Sequence, residues 1–443
     1  MKYKKYHNYE DSGVDWLGKI PLEWDKLCGK RLFKNRRKSP FLSDEQLAVT
    51  QKYGVIPQNI FMKKENQKVV LALKGTDNFK HVEENDYVIS LRSFQGGIEY
   101  STYKGCVSPA YTVLYNTKEI EYQYYKSLFK SQPYILALQS STDSLREGKS
   151  ITYDQFGAIF LPLPPIHEQQ QIAKFLDNTT QKMDTLIQKQ ENLIKLLKEK
   201  RQAVIYHAVT RGLNPDVKMK DSGVEWLGDV PEHWDINKLR YVFKFSTGLS
   251  ITRSDLKDKG IPCVSYGEVH SKYGFEVSAE KNVLKCVDES YLINSKNSLI
   301  AKGDFIFADT SEDLEGAGNF THLSGEIQVF AGYHTIIARL ISENNYYRFI
   351  AYLLDSQSFR KQIRLAVKGV KVFSITQAIL KNCINWIPPI EEQQQIADYL
   401  DNKTSKIDTL IEKSKQSIVL LKEKRTALIS AAVTGKIDVR KIV

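Results

Sequence analysis

Residues 165–201 read PIHEQQQIAKFLDNTTQKMDTLIQKQENLIKLLKEKR, and residues 389–425 read PIEEQQQIADYLDNKTSKIDTLIEKSKQSIVLLKEKR. Twenty-five of these 37 positions are identical at a constant offset of 224. Within each copy the apolar residues step by four and three. The first seam is Ile172, Leu176, Met183, Leu186, Leu193 and Leu197, and the second is Ile396, Leu400, Ile407, Leu410 and Leu421. A period of 3.5 predicts a coiled-coil helix. Adjacent Ile187, Ile194, Ile411 and Ile418 widen the stripe, and Gln190 and Ser414 interrupt it. Pro-Pro pairs at 164–165 and 388–389 mark the starts, because proline is tolerated in a first helical turn. Gly212 and Gly435 read as stops. Each helix then runs for roughly 45 residues, about 65 Å. Two pairings are open, a zipper between two copies of the chain and an antiparallel pair within one chain. High effective concentration favours the second, a spacer with pseudo-two-fold symmetry.

A second repeat opens each half: DSGVDWLGKIPLEWD at 11–25 and DSGVEWLGDVPEHWD at 221–235, at an offset of 210. Two long matches in the same order make the chain a tandem duplication. The segments between them diverge, with echoes only at Ser150-Ile151-Thr152 against Ser374-Ile375-Thr376 and at SPAYTVLY (108–115) against AGYHTIIA (331–338). Runs such as DYVISLRSF (86–94), YTVLY (111–115) and GDFIFADTS (303–311) predict strands. Residues 122–139 and 345–363 predict helices. The expected class is α+β: globular domains at 1–164 and 213–388, joined by two long antiparallel helices at 165–212 and 389–443. A duplicated frame with divergent inserts suggests two modules doing similar work on different targets.

The 443-residue chain carries a net charge of +11, and its composition is that of a folded globular protein. No apolar run approaches the roughly 18 residues a membrane helix requires. The start lacks the apolar core of a signal peptide. Cysteines 28, 106, 263, 286 and 383 show no Cys-x-x-Cys spacing, so no zinc site is expected, and scattered thiols fit a reducing cytoplasm. A basic chain of this kind points to a polyanion, most often nucleic acid. Residues 1–164 carry +6 and residues 213–388 carry no net charge, so bulk attraction should be stronger in the first half.

Candidate phosphate contacts are Lys30, Arg31, Lys34, Arg36, Arg37 and Lys38 in the first domain, and Lys361, Arg364, Lys368 and Lys371 in the second. Candidate base readers are Arg92, Ser93 and Gln95, at a strand end running into a glycine turn, with Thr310 and Ser311 at the corresponding strand end. The bland alternatives are solvated faces and ordinary turn chemistry. Catalytic signatures are missing. The Gly-Lys-Ser at 148–150 lacks the earlier glycine of a phosphate loop, no Asn/Asp-Pro-Pro-Phe/Tyr run occurs, and histidines 81, 270, 322 and 334 are isolated. No catalytic or metal-binding residue is assigned.

The doubled Pro-Pro-Ile-x-Glu-Gln-Gln-Gln-Ile-Ala with its LLKEKR helix, the doubled DSGVxWLGxxPxxW and the ending VTGKIDVR (433–440) resemble the specificity subunit of Type I restriction–modification systems. The resemblance implies two target recognition domains, each reading one half of a split, asymmetric site on double-stranded DNA. It implies helices that space the domains and dock two modification subunits. Those subunits would bring S-adenosylmethionine and methylate adenine. Restriction subunits, where present, would bring ATP and magnesium for cleavage. The chain itself would bind no cofactor and catalyse nothing. Two other classes compete, an architectural coiled-coil DNA-binding protein and an enzyme with an unrecognised site.

Overall fold

The computed structural model describes residues 3–66, 76–141, 151–369 and 371–442. The Gly-Lys-Ser at 148–150 lies outside them. The chain divides into two compact units, residues 1–191 with 415–443, and residues 192–414. The division cuts both long helices. Ile166–Arg211 gives its first half to the first unit and its second half to the second, and Ile390–Val433 does the reverse.

Each unit is assembled from the same parts. The DSGVxWLG segment is a hairpin, Tyr9–Asp11 with Lys19–Pro21 and Met219–Asp221 with Asp229–Pro231. The carboxylates of Asp11 and Asp221 accept from the amides of Gly13 and Gly223 at 2.9 Å, and these glycines take left-handed φ of +60° and +69°. The motif is therefore a turn scaffold. It delivers Trp24 and Trp234 into the cores, 2 % and 0 % exposed. In the first unit Trp24 shares its cluster with Leu428, Ala432 and Val433 of the second helix. In the second unit Trp234 shares its cluster with Ile205, Ala208 and Val209 of the first helix. Each hairpin thus seats on the end of a helix from the other repeat, where Gly212 and Gly435 close the helices with φ of +71° and +69°.

The EQQQ motif sits at the helix starts and is also structural. Gln169 is buried. Its carbonyl accepts from the amide of Glu121 at 3.0 Å and its amide donates to Pro164 O at 2.8 Å. Gln393 accepts from Tyr346 N at 2.7 Å and donates to Pro388 O and Asn344 O at 2.9 and 3.0 Å. Each glutamine ties its long helix to the loop entering the domain helices, Tyr122–Phe129 and Tyr347–Asp355. The Ile-Thr echo caps a short helix in each unit. Thr152 and Thr376 each accept from an amide three residues on at 3.2 Å, and Ile151 and Ile375 are buried.

In both units the helix segments run antiparallel. Arg425 meets Asp184 at 3.0 Å in the first unit, and the equivalent Arg201 meets Asp408 at 3.1 Å in the second. The seam departs from the heptad expectation. Ile172, Leu176, Met183, Leu197, Ile396, Leu400 and Ile407 are buried, and Leu421 is half-buried. Leu186, Leu193 and Leu410 stand 47, 42 and 50 % exposed, while Ile411 is buried and Ile187 and Ile194 are half-buried. The buried stripe takes two successive steps of four at its start, 172–176–180 and 396–400–404, and then resumes the alternation of three and four one residue out of phase with the expected seam.

The first domain carries an antiparallel sheet ordered Phe33–Asn35, Thr112–Asn116, Tyr87–Ile89, Glu99–Tyr100. The second carries five strands ordered Phe243–Thr247, Thr335–Leu340, Phe305–Ala308, Phe320–Leu323, Glu276–Val277, the last pair parallel. It adds a four-stranded sheet, Lys285–Val287, Ile261–Val264, Val329–Ala331, Leu299–Ile300. The mixed α+β class and the paired long helices match the expectation.

Candidate nucleic-acid interface

Strand register gathers the candidate site at one end of each main sheet. In the first unit Ile89 pairs with Thr112, and Arg36 N donates to Val113 O at 2.7 Å. The loops 36–38, 90–96 and 108–111 therefore emerge together. In the second unit Ala308 pairs with Thr335, and Gly248 N donates to Thr335 O at 3.0 Å, which brings 248–253, 309–313 and 331–334 together.

The first-unit basic cluster is split by its strand. Lys30 and Arg31 lie on Gly29–Leu32, at the opposite end from Arg37 and Lys38, and Arg31 O accepts from Thr117 Oγ1 at 2.8 Å. Lys30, Arg31, Lys34, Arg37 and Lys38 are exposed. Arg36 is committed internally and is withdrawn as a phosphate contact. Its guanidinium forks onto Asp86 at 2.6 and 2.8 Å and lies over Tyr115. Burial pushes the Asp86 carboxyl up, while Arg36 and the Glu83 amide pull it down. Lys38 stacks its ammonium 4.3 Å from the Phe41 ring centroid. Burial, with Arg37 beside it, lowers Lys80, whose ammonium bonds Tyr111 O.

Arg92 and Gln95 are exposed at the sheet end, whereas Ser93 is fully buried and its hydroxyl accepts from Ser90 N at 2.8 Å. Ser93 is therefore a turn brace, and no base could reach it. Ser311 is the same case, 3 % exposed with its hydroxyl donating to Asp313 O at 2.6 Å. Thr310 is half-buried against Asp309. The strand pair Thr310–Ser311 with Phe373–Ser374 brings the loop holding Lys368 and Lys371 alongside, both exposed. Lys361 is exposed on Gln357–Ala366. Arg364 is largely buried, bonded to Glu315 O at 3.0 Å, to the Glu315 carboxylate at 3.1 Å and to Gln357 at 3.1 Å.

Sequence reasoning missed Arg253, Tyr266, Tyr333 and His334, which also stand at the second sheet end. The signal was the echo between SPAYTVLY and AGYHTIIA, which places both tips immediately before an interior strand, second from the sheet edge in each unit. Among the described residues no group of three or more His, Cys, Asp or Glu is placed to hold a metal ion.

A duplicated helical frame thus carries an antiparallel sheet in the first unit and a mixed sheet in the second, each presenting loops at one sheet end. The family profile described as the Type I restriction modification DNA specificity domain matches residues 21–196 and 231–420, so the chain belongs to that family. It is 26 % identical over 408 residues to the Type I restriction enzyme MjaVIII specificity subunit of Methanocaldococcus jannaschii, spanning 91 % of this chain and 87 % of that one. It is 24 % identical over 289 residues to the Type I restriction enzyme EcoKI specificity subunit of Escherichia coli, spanning 64 % and 58 %. In fold it resembles a chain from work on complex assembly and conformational transition of the type I R-M system, with TM-score 0.72 at 15 % identity over 94 % of this chain and 98 % of that one. It also resembles the HsdS subunit from Thermoanaerobacter tengcongensis, with TM-score 0.57 at 16 % identity and the same coverage. The target recognition domain is thus a repeated, DNA-specifying module.

Proposed function

We propose that this specificity subunit reads a bipartite, asymmetric DNA site, one half through each unit. The observation carrying this reading is that the two units repeat hairpin, glutamine tie and helix cap, and differ at the sheet-end loops. A common frame with different tips is what two different half-sites require. Lys34, Arg37, Lys38, Lys361, Lys368 and Lys371, all exposed, would serve as phosphate contacts, with Lys30 and Arg31 on a separate patch, and Arg92 and Gln95 as base contacts. The exposed leucines of the long helices supply a docking face for modification subunits. In the first unit these are Leu186 and Leu420, and in the second Leu193, Leu196 and Leu410, all 42–63 % exposed. Those subunits would carry S-adenosylmethionine and methylate adenine. Restriction subunits, where present, would add ATP- and magnesium-dependent cleavage. The complex would work in the cytoplasm.

The test is methylome sequencing of a strain with and without the gene, and with residues 26–164 exchanged for a relative's. The expected result is a split motif that loses its methyl adenine without the gene and changes in one half after the exchange. Change in both halves would overturn modular reading.

A further inference from the structure

We infer that the Tyr333–His334 tip, braced by Tyr266, is the base-contacting element of the second unit. This deepens the half-site reading above and rests on it. His334 adopts φ +54°, a left-handed conformation that penalises every residue with a Cβ. Glycine would hold that backbone without strain, so the fold maintains the strain for a side chain. The tip is fixed on all sides. Ala331 O accepts from Leu249 N at 2.8 Å, Gly332 O from the Thr335 hydroxyl at 2.7 Å, and Tyr333 O from Tyr266 N at 3.2 Å. His334 O accepts from Asp309 N at 3.1 Å and Thr335 O from Gly248 N at 3.0 Å. Five consecutive carbonyls are thus satisfied, by partners on neighbouring loops and by Thr335 itself, and the ring projects from a rigid base.

The side chain points to recognition. It is 60 % exposed, and its Nδ1 lies 3.3 Å from the Asp309 carboxylate. That bond orients the ring and leaves Nε2 with no partner among the described residues. The rings of Tyr266 and Tyr333 stand 5.7 Å apart, and Tyr266 and His334 5.5 Å apart, both edge-to-face. Beside them opens a cleft of about 490 Å³ whose walls include Arg253, Tyr266, Lys285 and Tyr333. Lys285 is paired with Asp258 at 2.6 Å. Fixed aromatic faces next to a free imidazole nitrogen and the exposed Arg253 can contact base edges and a flanking phosphate together. Ser311, 3 % exposed and tied into its own turn, cannot.

The experiment uses the chain assembled with its modification subunits, and duplexes randomised at each position of the methylated motif. The variant is His334→Gly, which relieves the backbone and removes only the ring. The expected result is a loss of about 10-fold in discrimination at one or two positions of one half-site. Affinity for random DNA should stay within about two-fold, and the melting temperature should not fall. Exchange of residues 236–388 for a relative's segment runs in parallel. If that exchange changes one half-site and His334→Gly retains full discrimination, the inference fails while the half-site reading stands. If His334→Gly weakens cognate and random DNA equally, or lowers the melting temperature, the ring is structural and the inference fails. If the exchange changes neither half-site, the underlying reading fails and takes the inference with it.

Discussion

Replacing Gln393 by alanine removes three hydrogen bonds from a side chain that is 1 % exposed. Asn344 lies at the surface, so its carbonyl regains water. Tyr346 N–H and Pro388 C=O are left facing the space where the amide stood. At about 1–3 kcal/mol for each orphaned buried group, the second unit should lose about 2–6 kcal/mol. Gln169→Ala strips the matching pair, Glu121 N–H and Pro164 C=O, and should cost the first unit a similar amount. Hydrogen exchange separates the two, because Gln393→Ala should lower protection in Tyr347–Asp355 and Gln169→Ala in Tyr122–Phe129. Gln393→Glu sharpens the test. The new carboxyl can still accept from Tyr346 N, but its second oxygen would face two carbonyl oxygens. Its folded-state pKa is then raised above the ordinary value of about 4.3, so the added instability is greatest at neutral pH and fades on acidification as the protonated oxygen donates. Losses under about 0.5 kcal/mol for both alanines would show that the repeated glutamine is not the tie described.

Arg36→Ala should destabilise the first unit by about 3 kcal/mol in urea titration, because Asp86 is 2 % exposed and loses its partner. Burial already holds that carboxyl up, so the cost should shrink as pH falls. Replacing Lys34, Arg37 and Lys38 by alanine should weaken cognate and random DNA alike and flatten the salt dependence by about one unit of slope per lost contact; an unchanged slope would exclude phosphate contact. Leu196→Asp and Leu420→Asp should leave unfolding within about 0.5 kcal/mol of the parent, since both side chains are at least 60 % exposed, yet abolish co-purification of modification subunits.

Most of the frame was legible because it is written twice. The long helices and their ends at Gly212 and Gly435 follow local rules that a repeat reinforces, whereas the caps at Thr152 and Thr376 showed only as a sequence echo. The seam was misplaced by one residue at Leu186, Leu193 and Leu410. The expected seam alternates four and three from its first residue, whereas these helices begin with two successive steps of four and thereafter bury or half-bury the neighbouring isoleucines. The site was legible only as composition. Nothing local distinguishes exposed Arg37 from Arg36, because Asp86 lies 50 residues away and reaches Arg36 only across the sheet. Ser93 and Ser311 were drawn in by their polarity, and each proved to be spent on its own turn. His334 was passed over as isolated in sequence. Its strained backbone and five-fold anchoring exist only once four separate segments meet.

The seating of each hairpin on a helix end from the other repeat sets an order for biogenesis. The second unit is one unbroken stretch, Asn192–Ser414, and leaves the ribosome with all its core residues. The first unit begins emerging earlier but needs Leu428, Ala432, Val433 and Val439, which are made after the whole second unit. Until then Trp24, Phe175, Ile172 and Leu176 lack part of their cover. The half made first is finished last, so nascent chains carry an incomplete apolar face throughout most of synthesis, the interval in which chaperone dependence and premature termination are most damaging.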